Sequence, residues 1–236
     1  MAGKTNLPTN RSSSGDIKAF LDAAARTPAL SQVRGRLIFA IDATMSRQFT
    51  WDRASEIQAD MFEVAQSVGG LGIQLVYFRG RGEFEMSEWT TSARVLAEQM
   101  SGISCRSGFT QIRRVLAHAG EEARRTRVGA LVYIGDCCEE NPDAVLKEAG
   151  RLALRGVPAF MFHEGRDPNA ESVFREVARL TQGVYAHFDS SSAKQLRDLL
   201  RAAAVYAAGG APALKDYGNR LGGEVLRLAK SMRPGT

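Results

Sequence analysis

Strand-sized apolar runs that alternate with helix-like stretches are the feature of this sequence that most restricts its fold. Five such runs are predicted as buried strands: Leu37–Ile41, Ile73–Phe78, Ala130–Ile134, Val157–Phe162 and Val184–Phe188. Between them, apolar side chains recur every three to four residues, which is the spacing of an amphipathic helix. Buried strands separated by helices indicate an α/β protein whose mainly parallel sheet is covered on both faces.

A hairpin adds a sixth strand at one edge of the predicted sheet. The segment Arg79–Gly82 is predicted as a turn into a short strand at Phe84 and Met86, antiparallel to its neighbour. Further helices are predicted at Ile17–Leu21 and Ile57–Val68. The expected fold is a Rossmann-like, doubly wound α/β domain with a mainly parallel six-stranded sheet, one short antiparallel edge strand and helices on both faces.

The chain is predicted to hold one folded domain between two appendages. Residues 1–15 are polar and lack the apolar stretch of a signal peptide, so they are predicted to be a disordered leader. The domain is expected over residues 16–206, with its core at 36–203. Residues 207–236 are predicted to form a linker containing Gly and Pro, followed by an amphipathic helix from Leu214 to Met232.

Cysteine usage and hydropathy favour a cytoplasmic protein. Three cysteines are an odd number, and Cys137 and Cys138 are adjacent, which does not resemble the disulfide framework of a secreted protein. No run approaches the roughly 20 apolar residues of a membrane helix, so no membrane association is expected. The net charge of +5 is concentrated from Arg197 onward, where seven basic residues accompany three acids. A basic nucleic-acid-associated protein is therefore one hypothesis, although a solvated surface explains such a tail more simply.

Acids and hydroxyls follow the predicted strands at the ends where doubly wound sheets bind ligands. Three loops contribute them: Asp42, Thr44 and Ser46 after the first strand, Thr110 before a later helix, and Asp136 after the strand Ala130–Ile134. Such oxygen ligands suit a hard divalent cation, with Mg²⁺ expected first and Mn²⁺ or Ca²⁺ as alternatives. They also leave a position for an outside ligand. Helix capping would explain Asp42 and Ser46, but not the arrival of Thr110 and Asp136 at the same edge.

The order Asp42-x-Thr44-x-Ser46, then Thr110, then Asp136 resembles the metal-ion-dependent adhesion site of von Willebrand factor A (vWA) domains, here a stand-alone bacterial-type member. The resemblance covers residues 36–203. It implies that the first four residues approach a metal directly or through water, with Asp136 behind them. It also implies that a protein partner supplies a carboxylate as the last ligand, so the chain would be an adaptor and not an enzyme. Thr44 replaces the usual serine, and Cys137-Cys138 stand where glycine is more typical, which affects affinity and loop shape.

An enzymatic hypothesis rests on a second resemblance. Asp42-Ala43-Thr44, with Thr110 and Gly135-Asp136, is also similar to haloacid-dehalogenase phosphohydrolases, in which Asp42 would be the nucleophile of a Mg²⁺-dependent reaction. That family needs a lysine between the threonine and the last acids, but this chain has none between Lys18 and Lys147. Asp42 also lacks a second aspartate two residues on. Both departures favour the vWA hypothesis.

Thiols and an imidazole provide a third hypothesis at the same edge. Cys105, Cys137, Cys138 and His163 are all expected there, and such ligands suit Zn²⁺ or a redox role. Because no C-x₂-C spacing is present and adjacent cysteines rarely bind one ion, packing is the default expectation for this set.

Overall fold

The computed structural model describes residues 35–47, 71–188 and 193–221. Four predicted segments lie outside the described residues: the leader at 1–15, the helices at Ile17–Leu21 and Ile57–Val68, and the C-terminal helix beyond Leu221. Within the described ranges, no helix is both long enough and apolar enough to cross a membrane.

Six strands form one sheet in the described part of the chain: β1 (Gly35–Asp42), β2 (Leu71–Arg79), β3 (Glu83–Met86), β4 (Ala130–Gly135), β5 (Ala159–Glu164) and β6 (Val184–Phe188). Their order in space is β3-β2-β1-β4-β5-β6. Neighbouring strands are parallel except β3, which pairs antiparallel with β2. The predicted sheet is confirmed. The strand β5 begins two residues later than expected, because Pro158 has no N–H for a strand ladder.

Within residues 35–47, 71–188 and 193–221, five helices and one 3₁₀ turn accompany the sheet: α1 (Ala93–Ser101), α2 (Ile112–Arg125), α3 (Pro142–Ala153), α4 (Pro168–Leu180), α5 (Ala193–Leu221) and the turn Met45–Arg47. The sequence sets where α3 and α4 begin. Asn141 and Asp167 cap them through 3.1 Å and 2.6 Å hydrogen bonds from backbone N–H groups of the first turn. A proline follows each cap, at a position where a helix needs no N–H donor.

Alternate residues of the strands pack into two apolar layers. Leu37, Phe39 and Ile41 lie in a core with α1 and α5, whereas Ile38 and Ala40 lie in a core with α2, α3 and α4. Successive side chains of a strand point to opposite faces, so each buried strand contributes to both layers. This arrangement confirms the prediction, made from the uninterrupted apolar runs, that helices cover both faces of the sheet.

The last helix passes close to the start of the sheet. A Cβ at Gly35 would lie 2.1 Å from the Ala207 carbonyl oxygen, so only glycine permits this approach. The predicted linker is helical on both sides of Gly210, which adopts φ 70° and ψ −165° and so kinks the helix two residues before Pro212. The division of the chain near residue 206 stays a prediction.

Candidate metal centre

The strand order creates a crevice at the carboxyl ends of β1 and β4. These two strands are neighbours, but the chain continues from β1 to β2 on one side and from β4 to β5 on the other. In open α/β sheets, ligands bind at such a switch point. Asp42 is the last residue of β1, and Asp136 directly follows β4. Both predicted carboxylates therefore lie at the switch point.

The residues after β1 form a tight turn around the Asp42 carboxylate. Asp42 is fully buried, and its Oδ1 accepts a 2.8 Å hydrogen bond from the Thr44 N–H. The hydroxyl oxygens of Thr44 and Ser46 lie 3.1 Å apart. Aspartate favours this bond to the backbone two residues on, so the local sequence specifies the turn. The carboxylate and the two hydroxyls are thus held within one short segment.

Asp42, Asp136 and Cys137 form a group that we call the rim cluster. One ligand atom of each residue, a carboxylate oxygen or Sγ, lies within 4.8 Å of the other two. Asp136 Oδ1 is buried and has no hydrogen-bond partner among the described residues. Two carboxylates at this separation repel each other, and a shared cation removes that repulsion. The donors present therefore fit a divalent cation.

Thr110 connects to the rim cluster through the loop that follows β4. The Thr110 N–H donates to Glu139 Oε2 at 3.1 Å, and the Glu139 N–H donates to Thr110 Oγ1 at 3.0 Å. The loop before Thr110 is joined to the end of β1 by a 3.1 Å hydrogen bond from Arg106 N–H to the Ala43 carbonyl. The structure therefore links all three predicted loops. The hydrogen bonds of Thr110 are to Glu139 and not to Asp42 or Asp136.

Two distant segments hold the path of the loop after β4. Asn169, in the first turn of α4, donates a 2.7 Å hydrogen bond to the Cys138 carbonyl. The Glu140 carboxylate accepts hydrogen bonds of 3.1 and 3.2 Å from the Arg113 N–H in the first turn of α2. Because both ends of the Cys137–Glu140 segment are held in this way, the directions of the Asp136 and Cys137 side chains are set by tertiary contacts.

Solved structures with this architecture include several vWA domains. The von Willebrand factor type A protein from Catenulispora acidiphila superposes with a TM-score of 0.60 at 16% identity, over 73% of this chain and 43% of that chain. The SpRpn10 VWA domain gives 0.58 at 13% identity, over 74% and 97%. This chain has the von Willebrand factor A fold. Proximal thread matrix protein 1 from the mussel byssus, with a zinc-occupied MIDAS motif, gives 0.54 at 16% identity over 73% and 46%.

The likeness of this vWA fold to known proteins is structural. No protein-family model and no curated protein matches the sequence. The chain spans less than half the length of the Catenulispora and mussel proteins, but nearly all of the SpRpn10 VWA domain. The comparisons therefore show the fold of the chain.

Two residues near Asp42 and Asp136 are absent from the oxygen-ligand set that the sequence predicts. The sequence places Cys137 in a separate set of thiols and Tyr133 only in a strand. Burial raises the pKa of the Cys137 thiol, and the charges of Asp136 and Asp42 raise it further. Burial, followed by the charge of Asp42, raises the pKa of the Tyr133 hydroxyl. Two features of the sequence could have identified these residues. Cys137 directly follows the predicted ligand Asp136, and Tyr133 lies three residues before Asp136.

The predicted thiol and imidazole set does not come together. Cys105 and Cys138 are buried in the two opposite apolar layers, and Cys138 Sγ donates to the Glu140 carbonyl at 3.9 Å. His163 Nδ1 lies 3.0 Å from the Tyr185 hydroxyl, and its Nε2 lies 3.3 Å from the Asp136 carbonyl oxygen. Among the described residues, the rim cluster is the one group of three or more such ligands within 4.8 Å. Of the four predicted members, only Cys137 lies in it.

Proposed function

We propose that this protein is a metal-dependent protein-binding module, in which a divalent cation at the rim of the sheet coordinates an acidic group of a partner. The observation that carries this proposal is the pair of carboxylates, Asp42 and Asp136, brought within 4.8 Å at the switch point of the fold. Like charges at this distance are costly when one of them is fully buried, as Asp42 is, and binding sites are where proteins retain such arrangements.

The predicted ligands have distinct roles in this proposal. Asp42 would bind the ion directly, with the Thr44 and Ser46 hydroxyls beside it. Thr110 would act directly or through water, and Asp136 from behind. Mg²⁺ is proposed as the ion on the oxygen ligands alone, with Mn²⁺ and Ca²⁺ as alternatives. An ion with few carboxylate ligands keeps an exchangeable water, which a partner carboxylate replaces while adding charge where the site is deficient.

Exposed apolar side chains beside the ligands support a protein as the partner. Phe109, directly before Thr110, is 67% exposed, and Met45, between Thr44 and Ser46, is 48% exposed. Large apolar groups around a polar anchor are typical of protein interfaces. The backbone of Arg106 bonds the Ala43 carbonyl at the end of β1, and its half-exposed guanidinium, which also bonds Glu83 at 2.9 Å, would attract an acidic partner.

A phosphohydrolase role has less support. The described lysines are exposed on helices: Lys147 on α3, and Lys194 and Lys215 on α5. No described lysine is therefore buried beside Asp42 to neutralise a phosphoryl group. The proposal assigns no catalytic residue. It places the protein in the cytoplasm, because Cys105, Cys137 and Cys138 form no disulfide bond with one another.

The test is divalent-ion titration of the full chain and of the Asp42→Asn variant by calorimetry. Asparagine keeps an oxygen for the Thr44 N–H but removes the charge, so the fold should persist while the affinity for Mg²⁺ or Mn²⁺ falls at least about tenfold. Asp143→Asn, an exposed acid at the start of α3, is the matched control and should bind like the wild type.

A pull-down in Mg²⁺ or in EDTA tests whether partner binding requires the metal ion. Partner capture should be lost in EDTA, in Asp42→Asn and in Thr110→Ala, and should be retained in Asp143→Asn. A partner that is captured equally in all of these conditions would place recognition elsewhere on the protein. Ion binding that is unchanged in Asp42→Asn, with a normal circular dichroism spectrum, would rule out the metal site.

A further inference from the structure

The rim cluster contains a sulfur ligand as well as oxygen ligands. Cys137 Sγ lies within 4.8 Å of a carboxylate oxygen of both Asp42 and Asp136. A tetrahedral ion with metal–sulfur and metal–oxygen bonds of about 2.3 and 2.1 Å has its ligand atoms about 3.5 Å apart. Small rotations of these three side chains would therefore allow one ion to contact all of them.

The neighbouring cysteine provides an internal comparison. Cys138 points into the apolar layer of α2, α3 and α4, where its Sγ bonds the Glu140 carbonyl. Cys137 is half-buried at the crevice beside the two acids. Two chemically identical side chains in adjacent positions thus have different surroundings, and of the two only Cys137 lies beside the carboxylates.

A second, independent observation points to a ligand at the same place. The Tyr133 side chain is fully buried, and its hydroxyl has no hydrogen-bond partner among the described residues. This hydroxyl lies against Gly135, where an added Cβ would be 2.6 Å from it, and so next to Asp136. A buried hydroxyl without a partner is costly, and a group bound at the rim cluster would accept its hydrogen bond.

We propose that Cys137 is a metal ligand and that it makes the site prefer thiophilic divalent ions, Zn²⁺ above all, over Mg²⁺ and Ca²⁺. Thiolate sulfur favours Zn²⁺, whereas Mg²⁺ and Ca²⁺ take oxygen ligands. The Cys137 thiol releases its proton to bulk water as the sulfur–metal bond forms. The set becomes two carboxylates and one thiolate, with the fourth position for Thr44, water or a partner group. This inference rests on the proposed metal site, and it names Zn²⁺ in place of Mg²⁺ as the ion that binds there.

The test is Cd²⁺ titration of the full, reduced chain, monitored by the ultraviolet charge-transfer absorbance of a cadmium–thiolate bond. One equivalent of Cd²⁺ should produce this absorbance in the wild type. Cys138→Ala should retain it and Cys137→Ser should lose it. Calorimetry should show that Cys137→Ser weakens Zn²⁺ binding at least about tenfold, with Mg²⁺ affinity unchanged or increased, since serine offers a harder ligand.

The outcomes separate this inference from the proposed function. Mg²⁺ binding that depends on Asp42, with no cadmium–thiolate absorbance in the wild type, would refute the role of Cys137 and leave the oxygen site intact. If the absorbance persists in Cys137→Ser, another cysteine provides the sulfur ligand of Cd²⁺, and the proposed role of Cys137 is wrong. If none of these ions binds the wild type, both proposals are wrong. A circular dichroism spectrum of each variant shows whether it is folded.

Discussion

Between β2 and α2, buried and half-buried polar side chains bond to one another, whereas at the ends of β1 and β4 the buried Asp42 lies near the half-buried Asp136. We call the first group the α2 network: Gln74, Ser87, Trp89, His118 and Glu122. Gln74 donates to the Ser87 carbonyl at 3.1 Å, and its Oε1 lies 2.8 Å from His118 Nε2. The Trp89 indole N–H donates to Glu122 Oε2 at 2.9 Å.

The two groups differ in how far their polar atoms are compensated by neighbouring side chains. In the α2 network, each buried donor meets an acceptor, so burial costs little and the network stabilises the edge of the sheet. In the rim cluster, two carboxylates and a thiol share a small volume, and Asp136 Oδ1 is without a hydrogen bond from any described residue. A cation bound at the rim cluster, as proposed above, would compensate this cost.

The largest expected effect is that of Asp136→Asn, which removes one charge of the rim cluster. Divalent-ion affinity should fall by at least about tenfold, because one of the two negative charges beside the ion is lost. In EDTA the same variant should be about 1 kcal/mol more stable than the wild type, because a like charge beside Asp42 is gone. Urea denaturation in EDTA and in excess metal measures both effects.

The stability order of wild type and Asp136→Asn should therefore reverse when metal is added. The exposed acid Asp143 provides the control, since Asp143→Asn should show no reversal. A variant that is less stable than the wild type in EDTA would mean that Asp136 is a structural residue like those of the α2 network.

An intermediate effect is expected for Glu122→Ala in the α2 network. The Trp89 N–H and the guanidinium of Arg125, which bonds Glu122 at 2.9 Å, would lose their acceptor. Unfolding free energy should fall by about 1–3 kcal/mol, with ion affinity unchanged. Glu121 is a matched control, because it forms the same i, i+3 pair with Arg124 but is exposed. Glu121→Ala should change stability by less than about 0.5 kcal/mol.

Equal losses in Glu121→Ala and Glu122→Ala would show that ion pairing, and not the buried hydrogen bond to Trp89, is what matters in the α2 network. Glu122→Gln sharpens this test, because it keeps an acceptor for the indole N–H while removing the charge. Its stability should lie between those of the wild type and Glu122→Ala.

The smallest expected effect is the pH dependence contributed by His118. Burial lowers the pKa of His118, against the charge of Glu122, which raises it. The unfolded chain therefore binds a proton more readily, so stability is lost as the pH falls below the ordinary histidine pKa of about 6.5 and towards the lowered value. His118→Gln, which can still donate to Gln74, should show a shallower loss between neutral and acidic pH in urea denaturation.

His163 is a second source of the same trend, because burial lowers its pKa too. Only the difference between wild type and His118→Gln reports on His118. Identical pH profiles of the two proteins would show that protonation of His118 does not cost stability and that the α2 network tolerates charge.

The fold was predictable because its signals are local. Uninterrupted apolar runs such as Ala130–Ile134 are visible in a few residues, and the structure confirms the strand predicted there. Gly209, Gly210 and Pro212 were a weaker guide, because they suggest a linker where the structure has a kinked helix. Helical packing against β1 holds these residues in α5, with the irregularity confined to Gly210. Propensity is a weak guide where tertiary contacts decide the conformation.

The sequence by itself determined the turn Asp42-x-Thr44-x-Ser46, because its hydrogen bonds span only two residues, and it determined that Asp136 follows a buried strand. Only the tertiary structure decided that Cys137 and not Cys138 faces the acids, that Thr110 pairs with Glu139, and that the Tyr133 hydroxyl lies against Gly135. The path of the loop after β4 depends on Asn169 and Arg113, which are distant in sequence. A one-residue change in that path would exchange the two cysteines, and no local pattern encodes it.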